Sequence, residues 1–308
     1  MTLSLVRARA PASVGNVGVG FDVLGLSLCA PFDEVVAVRS AERGVRIRAI
    51  EGVVSDLPLE ASNNTAGRAA QSVLGDAPFG VELTIHKGIA IGSGMGGSAA
   101  SAVAAAVAVN ALRSSPLDAN ALLDAALDGE SLASGERHAD NVAPSLLGGL
   151  VLCAPGSPAR RLPVPDGLVC VVVRPHLRLD TREGRAVLRE DYRCAEWVRQ
   201  AGHLAGFVDA CHRGDTASVC RHLVDTLIEP QRKHRIPGFD QAAAAAHDAG
   251  AKAFSISGSG PAVFAWCETR HGEAVRASIE STFDSKGLAC ESVISSLDAP
   301  GAKTVETT

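Results

Sequence analysis

The alternation of apolar and polar positions divides the first half of the chain into strands and helices. Four segments alternate with a period of two, as expected for strands with one buried face. These predicted strands are 3–9, 33–39, 45–51 and 80–87. A helix near 65–74 separates the last two, and an Ala- and Val-rich stretch predicts a helix over 98–112. Asp118, which follows Pro116, is the expected N-cap of a further helix over 118–134.

The composition changes around residues 155–167, where the sequence reads PGSPARRLPVPDG. Because Pro, Gly and Arg favour exposed connections, we place a domain boundary here and expect domains 1–160 and 161–308. The tail 299–308 is expected to be disordered. The second domain is predicted to contain strands at 168–174, within 252–267 and at 287–294, with helices within 181–223, at 238–249 and near 271–284. Mixed helices and strands in two lobes make this an α+β chain.

Composition and charge exclude several classes of function. The chain has 308 residues, of which 46% are apolar, 20% charged and 4% aromatic, with a formal net charge of −5. A nucleic-acid binder normally shows a basic face and aromatic stacking platforms, so we expect no nucleic-acid partner. None of the eight cysteines forms a C-x-x-C pair, which indicates reduced thiols in the cytoplasm. The apolar stretch 102–111 is far shorter than the ~20 residues that span a bilayer, and no leader is apparent.

The segment GIAIGSGMGGSAAS, residues 88–101, is the strongest local signal. Its glycines permit unusual φ values and let backbone N–H groups approach a ligand closely. Ser98 stands where an N-cap would stand, and the helix that follows offers free N–H groups and the positive end of its dipole. These features suit a phosphate group. The loop is neither a Walker A loop nor a dinucleotide fingerprint, and a glycine-rich turn packed beneath a helix is the alternative.

Three motifs in order resemble those of the GHMP kinases. The loop resembles the nucleotide-binding motif P-x-x-x-G-L-G-S-S-A-A, with Met95 in place of Leu and Gly97 in place of the first Ser. RAPASVGNVGVGFDVLGLSL, residues 9–28, resembles the N-terminal motif in the form typical of members that phosphorylate homoserine. SISGSGPAVFAW, residues 255–266, resembles the C-terminal glycine motif. The resemblance implies an N-terminal domain like the second domain of ribosomal protein S5, followed by a ferredoxin-like domain.

The resemblance also implies ATP and Mg²⁺ and the residues that bind them. The family places a Mg²⁺-binding Glu at Glu130, partnered by Ser98, and hard oxygen ligands of this kind suit Mg²⁺. Without the resemblance, a single Glu on a helix would be read as a solvated side chain. Asn64 is assigned either a contact to adenine or the role of a helix cap. The residues implied for the nucleotide are Asn64, Gly92, Ser93, Gly94, Met95, Gly96, Gly97, Ser98 and Ala99.

A second group of residues is implied for L-homoserine. This substrate is a zwitterion, so its site needs a carboxylate clamp and an acceptor for the ammonium group. Arg185 and Arg232 match the family's carboxylate-binding arginines, whose planar forks suit a carboxylate. Asp22 matches the ammonium-binding carboxylate. The full set is Asn16, Asp22, His138, Thr181, Arg185, Arg232, Gly258 and Gly260. Taken singly, each would be read as a surface residue.

The cluster H-A-D-N, residues 138–141, bears on catalysis. Many GHMP relatives place a catalytic Asp seven residues before paired glycines, and counting back from Gly148 puts Asn141 at that site. An amide cannot act as a general base, so the resemblance implies transfer by positioning and charge neutralisation, with Asn141, Glu130 and Ser98 as the catalytic set. Asp140 could serve only as a helix cap.

The expected reaction is phosphorylation of the homoserine side-chain hydroxyl by ATP, which is a step of threonine biosynthesis. One alternative is a GHMP kinase that acts on mevalonate-type substrates or sugars. The other is a non-catalytic ligand-binding protein on the same fold, because a fold does not fix function. The family resemblance further implies a homodimer.

Overall fold

The computed structural model of the protein describes residues 3–135 and 137–308, apart from the side chain of Ser134. Its strands fall into two sheets. The described strands are β1 Leu5–Gly15, β2 Leu24–Ser40, β3 Gly44–Gly52, β4 Gly80–Lys87, β5 Leu150–Leu152, β6 Arg160–Arg161, β7 Leu168–Pro175, β8 Ala251–Ile256, β9 Val263–Glu268, β10 Cys290–Ser296 and β11 Lys303–Thr307.

The helices connect and cover these sheets. They are α1 Thr65–Leu74, α2 Gly97–Leu112, α3 Ala119–Ser134, α4 Ala139–Leu147, α5 Thr181–Ala186, α6 Cys194–Arg213, α7 Thr216–His222, α8 Glu229–Arg232, α9 Phe239–Asp248 and α10 Gly272–Asp284. Short 3₁₀ segments lie at Ala61–Asn63, Lys233–Arg235 and Thr269–His271. Among the described residues, no helix is both long enough and apolar enough to cross a membrane.

The first sheet has the order β11-β1-β2-β4-β3, with β5 beside β2 and β6 beside β5. Its pairs are antiparallel except for β3 and β4, which are parallel. Helix α2 packs against β1 and β2 and against α1 and α3, which also contact each other. Its Ala and Val side chains are buried nearly all round, because small side chains let neighbouring backbones approach closely. This helix is therefore the centre of the first core.

The second sheet is antiparallel, in the order β10-β7-β9-β8. Alternate residues of β9 face opposite sides, as the pleat requires. Phe264 and Trp266 join the core of the first sheet, where the ring of Trp266 lies 5.9 Å from that of Phe207 on α6. On the other face, Val263 and Ala265 pack in a separate core with residues of α9 and α10. The two sheets thus share one continuous core through α6 and α7.

Most predicted elements are confirmed, but two expectations are wrong. Ser98 is not the N-cap of α2: the cap is Gly96, at φ 65°, and Ser98 lies in the first turn. The tail is not disordered, because β11 pairs with β1 over four residues of the register. The predictions also missed α4, which contains Pro144. The domain boundary near residue 160 stays a prediction; β6 belongs to the first sheet and β7 to the second.

Deleting residues 303–308 should lower the stability of the first sheet, because β1 would become an edge strand. Thr308 also accepts a hydrogen bond from Leu5 N at 3.1 Å and donates one to Leu5 O at 3.0 Å. Each such bond contributes about 0.5–1.5 kcal/mol net, so we expect a melting temperature several degrees lower. Hydrogen exchange at β1 should accelerate. Full-length Glu306→Ala, which removes only the ion pair with Arg7, is the control. Equal melting temperatures for the deletion and this control would contradict the expectation.

Candidate functional site

A cavity of about 360 Å³ lies where the glycine loop 88–97 meets the segment leading into α5. Most residues singled out from the sequence line it. They are Asn16, Asp22, Asn64, Gly92, Ser93, Gly94, Gly96, Gly97, Ser98, Glu130, His138, Asn141, Thr181, Arg185, Arg232 and Gly258. Met95, Ala99 and Gly260 do not line it. Met95 and Ala99 are buried in the first core, and Gly260 lies against Ile236.

The glycine loop needs its glycines for backbone geometry. Gly92, Gly94 and Gly96 have φ values of 61°, 78° and 65°, which side-chain-bearing residues rarely adopt. The C-terminal glycine motif packs directly on this loop: the Ser257 hydroxyl donates to Gly94 O at 2.6 Å. A Cβ on Gly94 would stand 2.7 Å from Ser257 O, so only glycine fits this approach. The two motifs, far apart in sequence, therefore interlock at one edge of the cavity.

A buried ionic network, which the sequence reading missed, supports the glycine loop from below. The Lys87 ammonium group forms an ion pair with Asp33, and both side chains are almost fully buried. Lys87 also donates to Gly97 O at 2.9 Å and to the Ser101 hydroxyl at 2.7 Å. The network therefore joins the middle of β2 and the end of β4 to the first turns of α2.

The backbone at the start of the loop belongs to the same network. Asp33 Oδ1 accepts from Gly88 N at 2.9 Å and from Ile89 N at 3.1 Å. A signal for Lys87 did exist in the sequence, because it continues the alternating phase of the apolar residues Val81, Leu83 and Ile85. A lysine in phase with a buried face requires a buried partner.

Glu130 and Ser98 meet at the cavity wall near the start of α2. Ser98 is hydrogen-bonded to the Glu130 carboxyl group. Burial raises the pKa of Glu130 to about 7, and the hydrogen bond from Ser98 opposes that shift. No group of three or more His, Cys, Asp or Glu within 3–135 and 137–308 is arranged to hold a metal. A carboxylate and a hydroxyl beside a glycine loop of this shape fit a Mg²⁺ ion that takes its other ligands from phosphates and water.

The N-terminal turn is strained and carries two residues of the predicted substrate site. Asn16, Val17 and Asp22 have φ values of 69°, 43° and 60°. The Asn16 amide is used within the protein: Oδ1 accepts from Asp22 N at 3.0 Å, and Nδ2 donates to Gly258 O at 3.0 Å. Positive φ at a β-branched residue such as Val17 is unfavourable and persists only where surrounding contacts enforce it. Asn16 therefore clamps this turn to the C-terminal glycine motif.

Asp140 and Asn141 begin α4 and differ in surroundings. Asp140 is not the cap of this helix; His138 holds that position, and Asp140 Oδ2 accepts from Asn16 N at 3.1 Å. Burial, followed by the nearby Asp22 charge, raises the pKa of Asp140 to about 7. The Asn141 carbonyl accepts from the Ser13 hydroxyl at 2.9 Å. That bond fixes the orientation of the side-chain amide of Asn141, a residue that lines the cavity.

The predicted carboxylate-binding arginines lie together, although their sequence positions are far apart. Arg185 Nη2 lies 2.8 Å from Asp22 Oδ1, and His138 Nδ1 lies 3.7 Å from the other oxygen of Asp22. Arg232 is only 3% exposed and donates from Nε to Gly184 O at 2.8 Å. Burial and then the neighbouring Arg185 lower the pKa of Arg232 to about 10, so it remains charged at neutral pH.

Two further residues line the cavity. Asn64 is the N-cap of α1 and accepts from Ala66 N at 3.0 Å and Gly67 N at 3.3 Å, which confirms the cap role. Thr181 is the first residue of α5, and Asp180 caps that helix. The cavity thus combines a phosphate-sized loop, a buried carboxyl group beside the start of α2, and a cluster of opposite charges suited to a zwitterion.

Comparisons with known proteins agree with this geometry. Two family models match: the GHMP kinases N terminal domain over residues 64–149 and the GHMP kinases C terminal domain over residues 207–285. A homoserine kinase of Xanthomonas campestris pv. campestris is 48% identical over 302 residues, covering 96% of this chain and 93% of that protein. One from Xylella fastidiosa strain M12 is 45% identical over 307 residues, covering 98% and 94%.

Solved structures give the same result for the fold. The crystal structure of homoserine kinase from Cytophaga hutchinsonii superposes with a TM-score of 0.93, at 36% identity and 98% coverage of both chains. Mevalonate diphosphate decarboxylase from Staphylococcus aureus has a TM-score of 0.72 at 16% identity, covering 99% of this chain and 98% of that one, and shares the fold alone.

The buried network predicts separable effects on stability and ligand affinity. Lys87→Met should leave Asp33 buried without its cation and destabilise the protein by about 3–5 kcal/mol. Asp33→Asn/Lys87→Met removes both charges, so the double variant should recover much of that stability. It should not recover ATP affinity, because the hydrogen bond from Lys87 to Gly97 O at the end of the loop is lost. Urea unfolding and calorimetric ATP titration measure the two effects. Wild-type ATP affinity in the double variant would show that the network supports the core and not the loop.

Proposed function

We propose that this chain, which belongs to the GHMP kinase family and within it to the homoserine kinases, transfers the γ-phosphoryl group of ATP to the side-chain hydroxyl of L-homoserine. The products are ADP and O-phospho-L-homoserine, in a step of threonine biosynthesis. The observation that carries the proposal is that Asp22, Arg185 and Arg232 line the same cavity as the glycine loop. Release of ADP that depends on homoserine, followed in a coupled assay, is the direct test.

A zwitterionic substrate fits the charges at Asp22 and Arg185. These residues form an ion pair with each other at 2.8 Å, and each is about a quarter exposed. An α-ammonium group and an α-carboxylate can replace this pair by pairing with Asp22 and Arg185 respectively, so no charge is left uncompensated. Arg185 Nε is buried with no hydrogen-bond partner among the described residues, which leaves a donor for a carboxylate. This is the physical basis of preference for an amino acid.

The nucleotide side of the cavity is assigned to the glycine loop and α2. The backbone N–H groups at the start of α2 and the positive end of its dipole favour phosphate oxygens. Ser98 and Glu130 would hold Mg²⁺, which when bound neutralises charge on the phosphate oxygens. Glu130 has to lose its proton to act as a ligand, and with a pKa near 7 it is poised to do so at neutral pH.

The transfer step needs little from a protein base. The homoserine hydroxyl oxygen bonds to the γ-phosphorus as the bond from that phosphorus to the β–γ bridging oxygen breaks, and ADP leaves with the electron pair. The hydroxyl proton passes to a phosphoryl oxygen or to solvent. Asn141 cannot accept it but can orient the hydroxyl through its amide group, which Ser13 fixes. Positioning and charge neutralisation carry most of the catalysis of phosphoryl transfer.

Two rival functions remain distinguishable by experiment. A GHMP kinase of mevalonate-type substrates or sugars has no need of an acceptor for an ammonium group, which Asp22 supplies here. A non-catalytic binder on this fold would not need the pairing of Ser98 with Glu130. We further propose that the protein acts in the cytoplasm as a homodimer, in line with the family resemblance.

Glu130→Gln should abolish most turnover while preserving the fold. The loss of the carboxylate should lower kcat by about 10²-fold or more, because charge stabilisation of this kind is a large catalytic effect. In the wild type, affinity for Mg²⁺ should fall as the pH drops through about 7, where Glu130 takes up a proton. Calorimetric titration of the ATP complex with Mg²⁺ at pH 6 and pH 8 checks this, with Asp128→Asn, on the same helix, as control.

Stability gives an independent check on Glu130. When the pKa of a carboxyl group rises from 4.5 to about 7 on folding, the free energy of unfolding falls as the pH rises through that interval. Without divalent cations at pH 8, Glu130→Gln should therefore melt at or above the wild-type temperature. Normal turnover of this variant at low Mg²⁺ would show that the metal assignment is wrong.

Arg185→Ala and Arg232→Ala test the identity of the substrate. Each charge-assisted contact to a carboxylate is worth roughly 1.5–3 kcal/mol, so kcat/KM for homoserine should fall about 10- to 100-fold. Arg→Lys should restore little, since an ammonium group cannot reproduce the planar fork. Activity toward 3-aminopropanol, which lacks the carboxylate, should fall much less. Arg213→Ala, which removes an exposed arginine on α6, is the matched control.

The same kinetics separate the possible roles of these arginines. Equal losses with homoserine and 3-aminopropanol would assign the arginines to the phosphates of ATP. A wild-type enzyme with no preference for homoserine over 3-aminopropanol would overturn the homoserine assignment and leave the kinase assignment intact.

A further inference from the structure

Phe21 lies between the two arginines of the proposed carboxylate site. The guanidinium carbon of Arg185 lies 5.3 Å from the centre of the Phe21 ring, and that of Arg232 lies 5.2 Å from it. Both distances are within the range of a cation–π contact. Phe21 itself lines the cavity, next to Asp22 in the N-terminal turn. One aromatic ring therefore serves two cations.

The Phe21 ring lies where two positive charges, those of Arg185 and Arg232, come close together. Two guanidinium groups that converge on one ligand repel each other before that ligand arrives, and Arg232 is almost fully buried. Arg185 is ion-paired to Asp22, whereas Arg232 has no ion pair in the part of the chain that the structure describes. Its hydrogen bonds go to two neutral carbonyl groups, Gly184 O at 2.8 Å and Gly258 O at 3.4 Å. The Asp22 and Asp225 carboxylates act on its charge from a distance without forming an ion pair, and the negative face of the Phe21 ring is a further favourable partner.

The turn that carries Phe21 is held in place by the protein. Asp22 N donates to Asn16 Oδ1 at 3.0 Å, and Leu24 N donates to Gly20 O at 2.9 Å. The ring and the Asp22 carboxylate are thus presented from one short segment, whereas the arginines come from α5 and α8. A fixed ring can set the separation and direction of two long side chains that arrive from elsewhere.

We propose that Phe21 is a positioning residue that holds Arg185 and Arg232 ready for the substrate carboxylate and so contributes to the preference for an amino acid over an amino alcohol. This inference rests on the proposed function. Leucine at this position keeps an apolar side chain but lacks the negative ring face. Tyrosine at this position keeps the negative face of an aromatic ring.

Steady-state kinetics with homoserine and 3-aminopropanol test the proposal in four proteins: wild type, Phe21→Leu, Phe21→Tyr and Phe79→Leu. The last is the matched control, because Phe79 lies 3.6 Å from the guanidinium carbon of Arg39 and does not line the cavity. We expect Phe21→Leu to lower the preference for homoserine about tenfold, mainly through KM. Phe21→Tyr should restore most of it, and Phe79→Leu should leave it at the wild-type value.

A double-variant comparison tests whether Phe21 acts through the arginines. In the Arg185→Ala background, Phe21→Leu should reduce the preference by a smaller factor, because one of the two cations is gone. An equal loss toward both acceptors in Phe21→Leu, or a Phe21→Tyr variant as impaired as Phe21→Leu, would overturn the proposal. The proposal would also be overturned if Phe21→Leu reduced the preference for homoserine by the same factor with and without Arg185→Ala.

The Nε–H resonance of Arg232 gives a readout that does not depend on homoserine. This group is hydrogen-bonded and buried, and it lies near the ring. Its chemical shift should change in Phe21→Leu, return toward the wild-type value in Phe21→Tyr, and stay unchanged in Phe79→Leu. An unchanged shift in Phe21→Leu would overturn the proposal even in a protein that fails to phosphorylate homoserine. The proposed function is tested separately, because the homoserine assay of the wild-type protein alone decides it.

Discussion

The glycine loop can hold its conformation only because it is fixed from both sides. Below it, Asp33 accepts from the first two backbone N–H groups of the loop while Lys87 ties the same carboxylate to α2. Above it, the hydroxyl of Ser257 donates to Gly94 O. A run of glycines would otherwise sample many conformations and lose much entropy on ordering. This double anchorage joins the two sheets, and the cavity exists because they meet there.

Several charges of the cavity, though not that of Arg232, are compensated before any ligand binds. Asp22 is paired with Arg185, and burial raises the pKa values of Glu130 and Asp140 to about 7, so both are partly protonated at neutral pH. In the proposed function, binding is an exchange of partners: a zwitterion replaces an ion pair, and a divalent cation replaces a proton. An exchange of this kind avoids the large free energy of leaving a buried charge without a partner. It also discriminates against ligands that supply only one of the two charges.

The sequence predicted the elements better than the contacts between them. Strands and helices with regular periodicity, such as β4 and α2, were found within a residue or two at each end, since burial of one face dictates the pattern. The prediction for the tail failed because β11 is exposed along its whole length, so its pairing with β1 leaves no hydrophobic pattern in the sequence. The glycine, acidic and arginine motifs could be assigned through the resemblance. Phe21 could not, because its contacts depend on arginines more than 160 positions away.

In the proposed mechanism Asn141 supplies no base, so the transfer depends on how the surrounding groups are held. The one buried acid beside it, Asp140, has an oxygen occupied by the Asn16 backbone N–H, and the Glu130 carboxyl group is bonded to Ser98. In the proposed mechanism neither carboxyl group takes the hydroxyl proton, so rate enhancement comes from holding the reacting groups in line. Effective molarity depends steeply on alignment, and small displacements are costly. The strained turn, with Val17 at φ 43°, serves the proposed mechanism because it sets where Phe21 and Asp22 stand relative to the glycine loop.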